Sequence, residues 1–290
     1  MQWQRKSLEV EGGQLSVMHA ERPAAPRLVL GHANGFNAST YRQFLSYLSD
    51  DFEILAPDLR GHGLSQAPAE PGQLRDWHIF ARDLARLTAS EPDRQTIFVG
   101  HSMGSICGLL AAASHGMRVD QFALIEPVFM PSWFYAIPHI PGGAWAYQFN
   151  PMSTSARERR ARWESRNQVL QSYRDKKLFA HWTAGALEDY LETGLTDSGG
   201  ETVLACAPEW EAAIFASHAH NPWSALRQID VPVSLLKSSR RGSTIYPVWR
   251  LRRYGLTPDA TQAGHLAPME DPQGCAQWVL AQASTLLRSR

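Results

Sequence analysis

Cysteine is scarce in this chain. The three present, Cys107, Cys206 and Cys275, are an odd number at wide spacing with no CxxC pair. That argues against a disulfide framework and a structural zinc site, and it fits a reducing compartment. Net charge is absent as well: 28 Lys+Arg balance 28 Asp+Glu, and the pI is near 7.2. A balanced chain has no bulk attraction to nucleic acid or to anionic membranes. Long apolar runs are missing too. The most apolar stretch, Thr96–Ala113, is interrupted by His101, Ser102, Ser105 and several glycines, so no membrane span is expected. Met1–Gly13 carries charges but no apolar core of a signal peptide. There is no G-x-G-x-x-G on the first strand turn and no P-loop, so no cofactor is expected. The expectation is a cytoplasmic protein, monomer or homodimer, whose partner is a small molecule.

What is present is ample apolar material, 44% of the residues, enough for a large core. Short apolar runs alternate with helical patterns. Arg27–Gly31, Phe52–Ala56, Thr96–Gly100, Gln121–Ile125, Val231–Leu236 and a short segment at Pro258–Gln262 are expected as strands. Tyr41–Leu48, Asp76–Leu87, Ser102–Ser114 and Pro272–Leu287 are expected as helices. That alternation predicts an α/β fold, a mostly parallel central sheet with helices on both faces. Residues 128–228 break the rhythm. Pro131, Pro138, Pro141, Gly142 and Gly143 mark the entry, and six of the ten tryptophans fall between Trp133 and Trp223. Ser155–Ser165, Asn167–Leu178 and Ala184–Leu191 suit helices. The expected organisation is a core of residues 1–127 and 229–290 carrying a helical insertion of residues 128–228.

Gly100-His101-Ser102-Met103-Gly104 fits G-x-S-x-G, follows an apolar strand and opens a small-residue helix. That context is what a nucleophile elbow requires. The turn is too tight for side chains at the flanking glycines, and the serine is held at a helix N-terminus that favours developing negative charge. A serine nucleophile needs a base. His265, in Ala263-Gly264-His265-Leu266 just after the last expected strand, would lie at the same sheet edge.

With the elbow, Gly31-His32-Ala33-Asn34-Gly35-Phe36 after the first expected strand and Asp58-Leu59-Arg60-Gly61-His62-Gly63-Leu64-Ser65 after the second, the chain resembles the alpha/beta-hydrolase superfamily. The resemblance covers about residues 8–127 and 229–288 and is specific for the fold rather than for the substrate. It implies a Ser–acid–His triad, an oxyanion hole and a cap over the carboxyl edge of the sheet. The acid usually follows the strand after the insertion, but Lys237–Pro258 contains no Asp or Glu. The family's other position, after the strand that follows the elbow helix, falls on Glu126, with Asp230 and Asp259 as rivals. The oxyanion donors would be the backbone N–H of Met103 and one from the His32–Phe36 loop, Asn34 before Ala33.

The resemblance therefore implies a serine hydrolase that cleaves an ester or thioester of a largely apolar small substrate through an acyl-enzyme. A carbon–carbon bond hydrolase or a cofactor-free perhydrolase on the same triad, and a non-catalytic ligand-binding receptor, remain alternatives. Family members that open epoxides or cleave carbon–halogen bonds carry an aspartate where this chain has Ser102. His32, Phe36, His101, Met130, Trp133, Phe134, Tyr135, Ile140 and Leu266 are candidates for the pocket lining, with packing of the insertion onto the sheet as the alternative use of the aromatics. His218 and His220 lack patterned acids, so no metal site is expected. Lys237, Arg240, Arg241, Arg250, Arg252 and Arg253 form either a solvated face or an attractor for an anionic substrate such as an acyl-coenzyme A.

Overall fold

The computed structural model describes residues 2–240 and 248–288. Its centre is an eight-stranded sheet: β1 Gln4–Val10, β2 Gly13–Ala20, β3 Arg27–Gly31, β4 Glu53–Pro57, β5 Thr96–His101, β6 Gln121–Ile125, β10 Val233–Ser238 and β11 Asp259–Thr261. The spatial order is β1-β2-β4-β3-β5-β6-β10-β11. From β4 to β11 every neighbouring pair is parallel, whereas β1, β2 and β4 pair antiparallel. The parallel strands β3, β4, β5 and β6 are buried along their whole length. Their continuous apolar runs, rather than alternating ones, are what burial under helices on both faces demands. Helices His78–Ser90 and Met103–His115 line the core of Phe80, Leu84, Ile106 and Leu110. Phe44, Leu45, Cys275 and Val279 belong to the second apolar cluster, with Leu28, Leu30 and Ile54 of the sheet.

Several expectations shift by a few residues. The β10 strand runs Val233–Ser238 rather than Val231–Leu236, because pairing with β6 begins at the Pro232 carbonyl, which accepts from Phe122 N–H at 2.9 Å. The terminal helix is divided at Ala283 into Pro272–Gln282 and Ser284–Arg288. The sequence reading named no strand before Arg27. The β1–β2 hairpin turns at Glu11-Gly12, with Gly12 at φ +81°, and β1 is mostly exposed, so it lacks the apolar run that marks the central strands.

Between β6 and β10 the chain is not wholly helical. The helix expected over Ser155–Ser165 is instead Pro151–Arg157, and Arg162–Trp163 forms strand β7. It pairs with β9, Glu201–Leu204, which pairs with β8, Leu195–Ser198. Helices Arg166–Arg174, Ala186–Gly194, Pro208–Ala216 and Pro222–Leu226 lie in the same stretch. Gly199-Gly200, both at positive φ, make the β8–β9 turn. A Gly-Gly pair is a local hairpin signal that the helical reading passed over. Trp163, Tyr173, Phe179, Leu187 and Tyr190 give this segment its own apolar cluster. Phe36 and Trp182 pack against both it and the second sheet cluster. Among the described residues no helix is long and apolar enough to cross a membrane.

Candidate active site

Every group of interest leaves the carboxyl end of a parallel strand, the edge where open α/β sheets bind ligands. At the end of β5 the chain reverses into helix Met103–His115 through Ser102, at φ 54°, ψ −117°. The reversal depends on small neighbours. A Cβ on Gly104 would come within 2.1 Å of the Gly31 carbonyl oxygen, and one on Gly100 within 2.4 Å of Ser105 Cα. After β6 stands Glu126, also at positive φ, 46°. Non-glycine residues in this region cost about 1–3 kcal/mol each and persist where surrounding structure over-determines them. Here the neighbouring strands do so: Ser102 N–H donates to the Ile125 carbonyl at 3.0 Å and Glu126 N–H to that of Leu236 at 2.9 Å. His265 lies between β11 and helix Ala267–Glu270.

These strand ends bring three side chains into series. Ser102 Oγ is 3.1 Å from His265 Nε2, and His265 Nδ1 is 3.2 Å from Glu126 Oε2. Glu126 is fully buried, and its Oε1 accepts the Ser238 N–H at 2.6 Å. Ser238 is the last residue of β10, whose register pairs Leu236 with Ile125 at the end of β6. The imidazole is a third exposed and Ser102 is 7% exposed, so the hydroxyl is nearly enclosed. A hydroxyl, an imidazole and a buried carboxylate in this sequence can move a proton off the oxygen and hold the resulting cation. The rivals stand elsewhere. Asp230 is exposed ahead of β10, at its amino end. Asp259 is exposed and accepts Trp278 Nε1–H at 2.8 Å.

Met103 is the first residue of its helix, so its N–H has no intrahelical acceptor. Of the two loop candidates, Ala33 N–H donates to Tyr41 Oη at 2.9 Å and is thereby spent. Among the described residues the Asn34 N–H has no acceptor, while its side-chain Nδ2 donates to the Glu211 carbonyl at 3.0 Å. The loop is pinned by two buried imidazoles. His32 accepts Leu59 N–H on Nε2 at 2.8 Å and donates from Nδ1 to the Ala33 carbonyl. His62 accepts Gly35 N–H on Nε2 at 3.1 Å and donates from Nδ1 to the Arg60 carbonyl. His32 is therefore wholly buried scaffold and not an open pocket wall. The same holds for His101, whose ring is engaged by Tyr41 and by the His265 carbonyl.

Of the other lining candidates, Phe36 meets Trp182 and Tyr190 at 5.7 and 5.5 Å between ring centroids, and Leu266 is buried beside His265. Met130, Phe134 and Tyr135 pack into the main core cluster or against it. Phe134 and Tyr135 meet His218, which with His220 lies against Trp77. Trp133 and Ile140 are 64% and 58% exposed and so face solvent instead. His218 and His220 are aromatic packing, and among the described residues no three His, Cys, Asp or Glu gather as a metal cluster. Of the basic run, Arg240, Arg252 and Arg253 are exposed, Arg253 over the Trp249 ring, and Arg241 lies outside the described residues.

Above the loop, sequence reasoning missed a polar clasp. Arg159 pairs with Glu211, donates to Tyr173 Oη at 3.0 Å, and has its pKa raised: burial opposes the charge, but Tyr190, Glu211 and Tyr173 outweigh it. No local spacing links residues so distant in the chain.

Burial lowers the pKa of His32 to about 4, and those of His62 and His101 to about 3. A depressed folded-state pKa gives stability that is complete above the unfolded value near 6.5 and is lost as pH falls toward 3–4. Equilibrium denaturation should therefore show stability level above about pH 6.5 and falling steadily below it. A flat profile from pH 7 to 4.5 would contradict this account.

Ser102, His265 and Glu126 thus meet at the carboxyl edge of the parallel sheet. The chain belongs to the alpha/beta hydrolase family, which it matches over residues 28–278. It is 31% identical over 120 residues to 2-(acetamidomethylene)succinate hydrolase of Mesorhizobium japonicum, covering 41% of this chain and 42% of that one. It is 30% identical over 125 residues to epoxide hydrolase A of Mycobacterium tuberculosis, covering 43% and 38%. The matches thus span well under half the length of these curated relatives. The crystal structure of E-2-(acetamidomethylene)succinate hydrolase aligns with a TM-score of 0.77 at 18% identity, over 97% of this chain and 98% of that one. The thioesterase domain from the curacin biosynthetic pathway aligns at 0.74 and 17% identity, over 97% and 100%. At these identities the structural likeness is one of fold.

Proposed function

We propose that this chain is a cofactor-independent serine hydrolase that cleaves an ester or thioester of a small, largely apolar substrate. The observation that carries the reading is the series Ser102 Oγ, His265 Nε2 at 3.1 Å, His265 Nδ1 and Glu126 Oε2 at 3.2 Å. Ser102 Oγ attacks the carbonyl carbon as His265 takes its proton. The oxygen that becomes negative is met by the N–H groups of Met103 and Asn34. The tetrahedral species collapses with release of the alcohol or thiol, which leaves with the proton from His265. Water then attacks the acyl-serine, with His265 again as base, and restores the hydroxyl. Glu126 holds the imidazole tautomer and offsets the imidazolium charge without itself being protonated.

An apolar substrate is supported by the rings of Phe36, Trp182 and Tyr190 beside the oxyanion loop. The curated relative acting on a succinate derivative raises an acidic substrate, but the Arg159 charge above the loop is already matched by Glu211. The epoxide hydrolase among the relatives raises ring opening, but this chain has serine at the elbow.

Hydrolysis of p-nitrophenyl esters from acetate to decanoate tests the reading. Turnover is expected, with an optimum in chain length that sizes the apolar pocket. A wild-type protein inert toward every oxygen ester and the matching thioesters would overturn it.

A further inference from the structure

The buried ring of His101 is not used by the chemistry just described, yet it stands between its two halves. It is the last residue of β5, next to Ser102. Its Nε2 is 2.8 Å from the backbone carbonyl of His265. Its Nδ1 is 2.6 Å from Tyr41 Oη, which also receives the Ala33 N–H at 2.9 Å. Tyr41 and His101 are wholly buried.

The proton positions follow from these partners. A carbonyl only accepts, so Nε2 carries the hydrogen. Burial keeps the ring neutral, so Nδ1 is bare and accepts. Tyr41 must then donate its hydroxyl to Nδ1 while accepting from Ala33. Every donor then meets an acceptor, and the chain of bonds runs one way, from the oxyanion loop through Tyr41 and His101 to the segment that carries the base. Bonds in such a chain polarise and strengthen one another in a low-dielectric interior.

Tyr41 is itself fixed from both sides. It ends the short helix Ala38–Tyr41, which Asn37 caps by accepting Thr40 N–H at 3.0 Å. Ala38 N–H donates to the buried Asp58 carboxylate at 2.7 Å. An apolar ring in place of Tyr41 would leave the buried Ala33 N–H without its acceptor, and one in place of His101 would leave the His265 carbonyl without its donor.

We propose that Tyr41 and His101 are positioning residues whose hydrogen-bond chain holds the Asn34 donor and the His265 base in one fixed geometry around Ser102. This rests on the serine hydrolase reading. The peptide whose N–H meets Tyr41 immediately precedes the Asn34 N–H, so a drift of one moves the other. Pinning the His265 carbonyl fixes the backbone from which the imidazole reaches both Ser102 and Glu126.

The test is the kinetics of phosphonylation by a fluorophosphonate, in which Ser102 Oγ displaces fluoride, resolved into a maximal rate and a binding constant. Thermal melting is measured beside it. In wild type, Ser102 is labelled. In Tyr41→Phe, which keeps the ring and removes only the hydroxyl, the maximal rate is expected to fall about 10–100-fold, since misplacement by about 1 Å can cost that much. The binding constant should stay within about threefold, as expected for an interaction made only in the transition state. His101→Gln, whose amide keeps a donor for the His265 carbonyl, is expected to react at least about fivefold faster than His101→Leu. The proposal is overturned if folded Tyr41→Phe is labelled at the wild-type rate, if its loss lies in binding alone, or if it merely tracks the unfolded fraction. Wild-type protein not labelled at Ser102 would sink the hydrolase reading and this proposal with it. That arm is separate from the variant comparison, so the two failures are told apart.

Discussion

Ser102→Ala should lower ester turnover by about 10⁵–10⁶-fold, the range seen when the nucleophile of such a triad is removed, and should leave no acyl adduct by intact-protein mass spectrometry. The substitution deletes one oxygen. It leaves the elbow's backbone unchanged, because Ala is as compatible as Ser with φ 54° and the Gly100 and Gly104 contacts remain. Among the described residues the Ser102 hydroxyl has one hydrogen-bond partner, His265 Nε2 at 3.1 Å. The variant should therefore fold and melt within a few degrees of wild type, on the order of the shift from about 1 kcal/mol in a chain of this size. Residual rate from the Met103 and Asn34 donors is expected, as oxyanion stabilisation and binding act without the nucleophile. An acylated Ala variant, or one retaining a tenth of wild-type activity, would remove Ser102 from the mechanism.

The second large effect is at Glu126. Replacing it with Gln should slow turnover by about 10⁴-fold, the scale seen when a triad acid becomes its amide. The reason is in its two partners. Oε1 receives the Ser238 N–H and Oε2 receives His265 Nδ1–H, so both carboxylate oxygens act as acceptors. Gln has one acceptor and one donor. If its oxygen faces Ser238, its NH₂ faces Nδ1 and forces the other tautomer, with hydrogen on Nε2, which cannot take the serine proton. If its oxygen faces His265, the NH₂ is set against the buried Ser238 N–H, a clash of donors in a dry site. Asp230→Asn and Asp259→Asn, at exposed positions, should change turnover by less than about twofold. A fully active Glu126→Gln, or a collapse on changing either aspartate, would reassign the acid.

Where sequence and structure meet, the reach of local pattern is visible residue by residue. Strands β3 to β6 stood out because a strand buried on both faces must be apolar throughout. The β1–β2 hairpin did not, since β1 is exposed. In the insertion, strand Arg162–Trp163 falls inside the helix expected over Ser155–Ser165, which has acceptable helix formers, because it exists only through its partner Thr202–Val203. Pairing with a segment forty residues away overrides a weak local preference. Among pocket candidates, residue type suggested apolar lining for Trp133 and Ile140, but position put them at the surface.

The sequence by itself determined the class of fold and the elbow: strand periodicity is local, and so is the steric need for glycine on both sides of Ser102. It also narrowed the acid, through the absence of any carboxylate over Lys237–Pro258. Only the tertiary structure decided what depends on separate strands ending side by side. The register of β10 against β6 sets Ser238 N–H on Glu126. Tyr41 removes Ala33 from the candidate donors and ties it to His101. Arg159 meets Glu211 across fifty-two positions of chain. Each of these is a hydrogen bond between groups that share no spacing in the sequence, because a buried donor is satisfied by whatever acceptor the packed fold brings within about 3 Å.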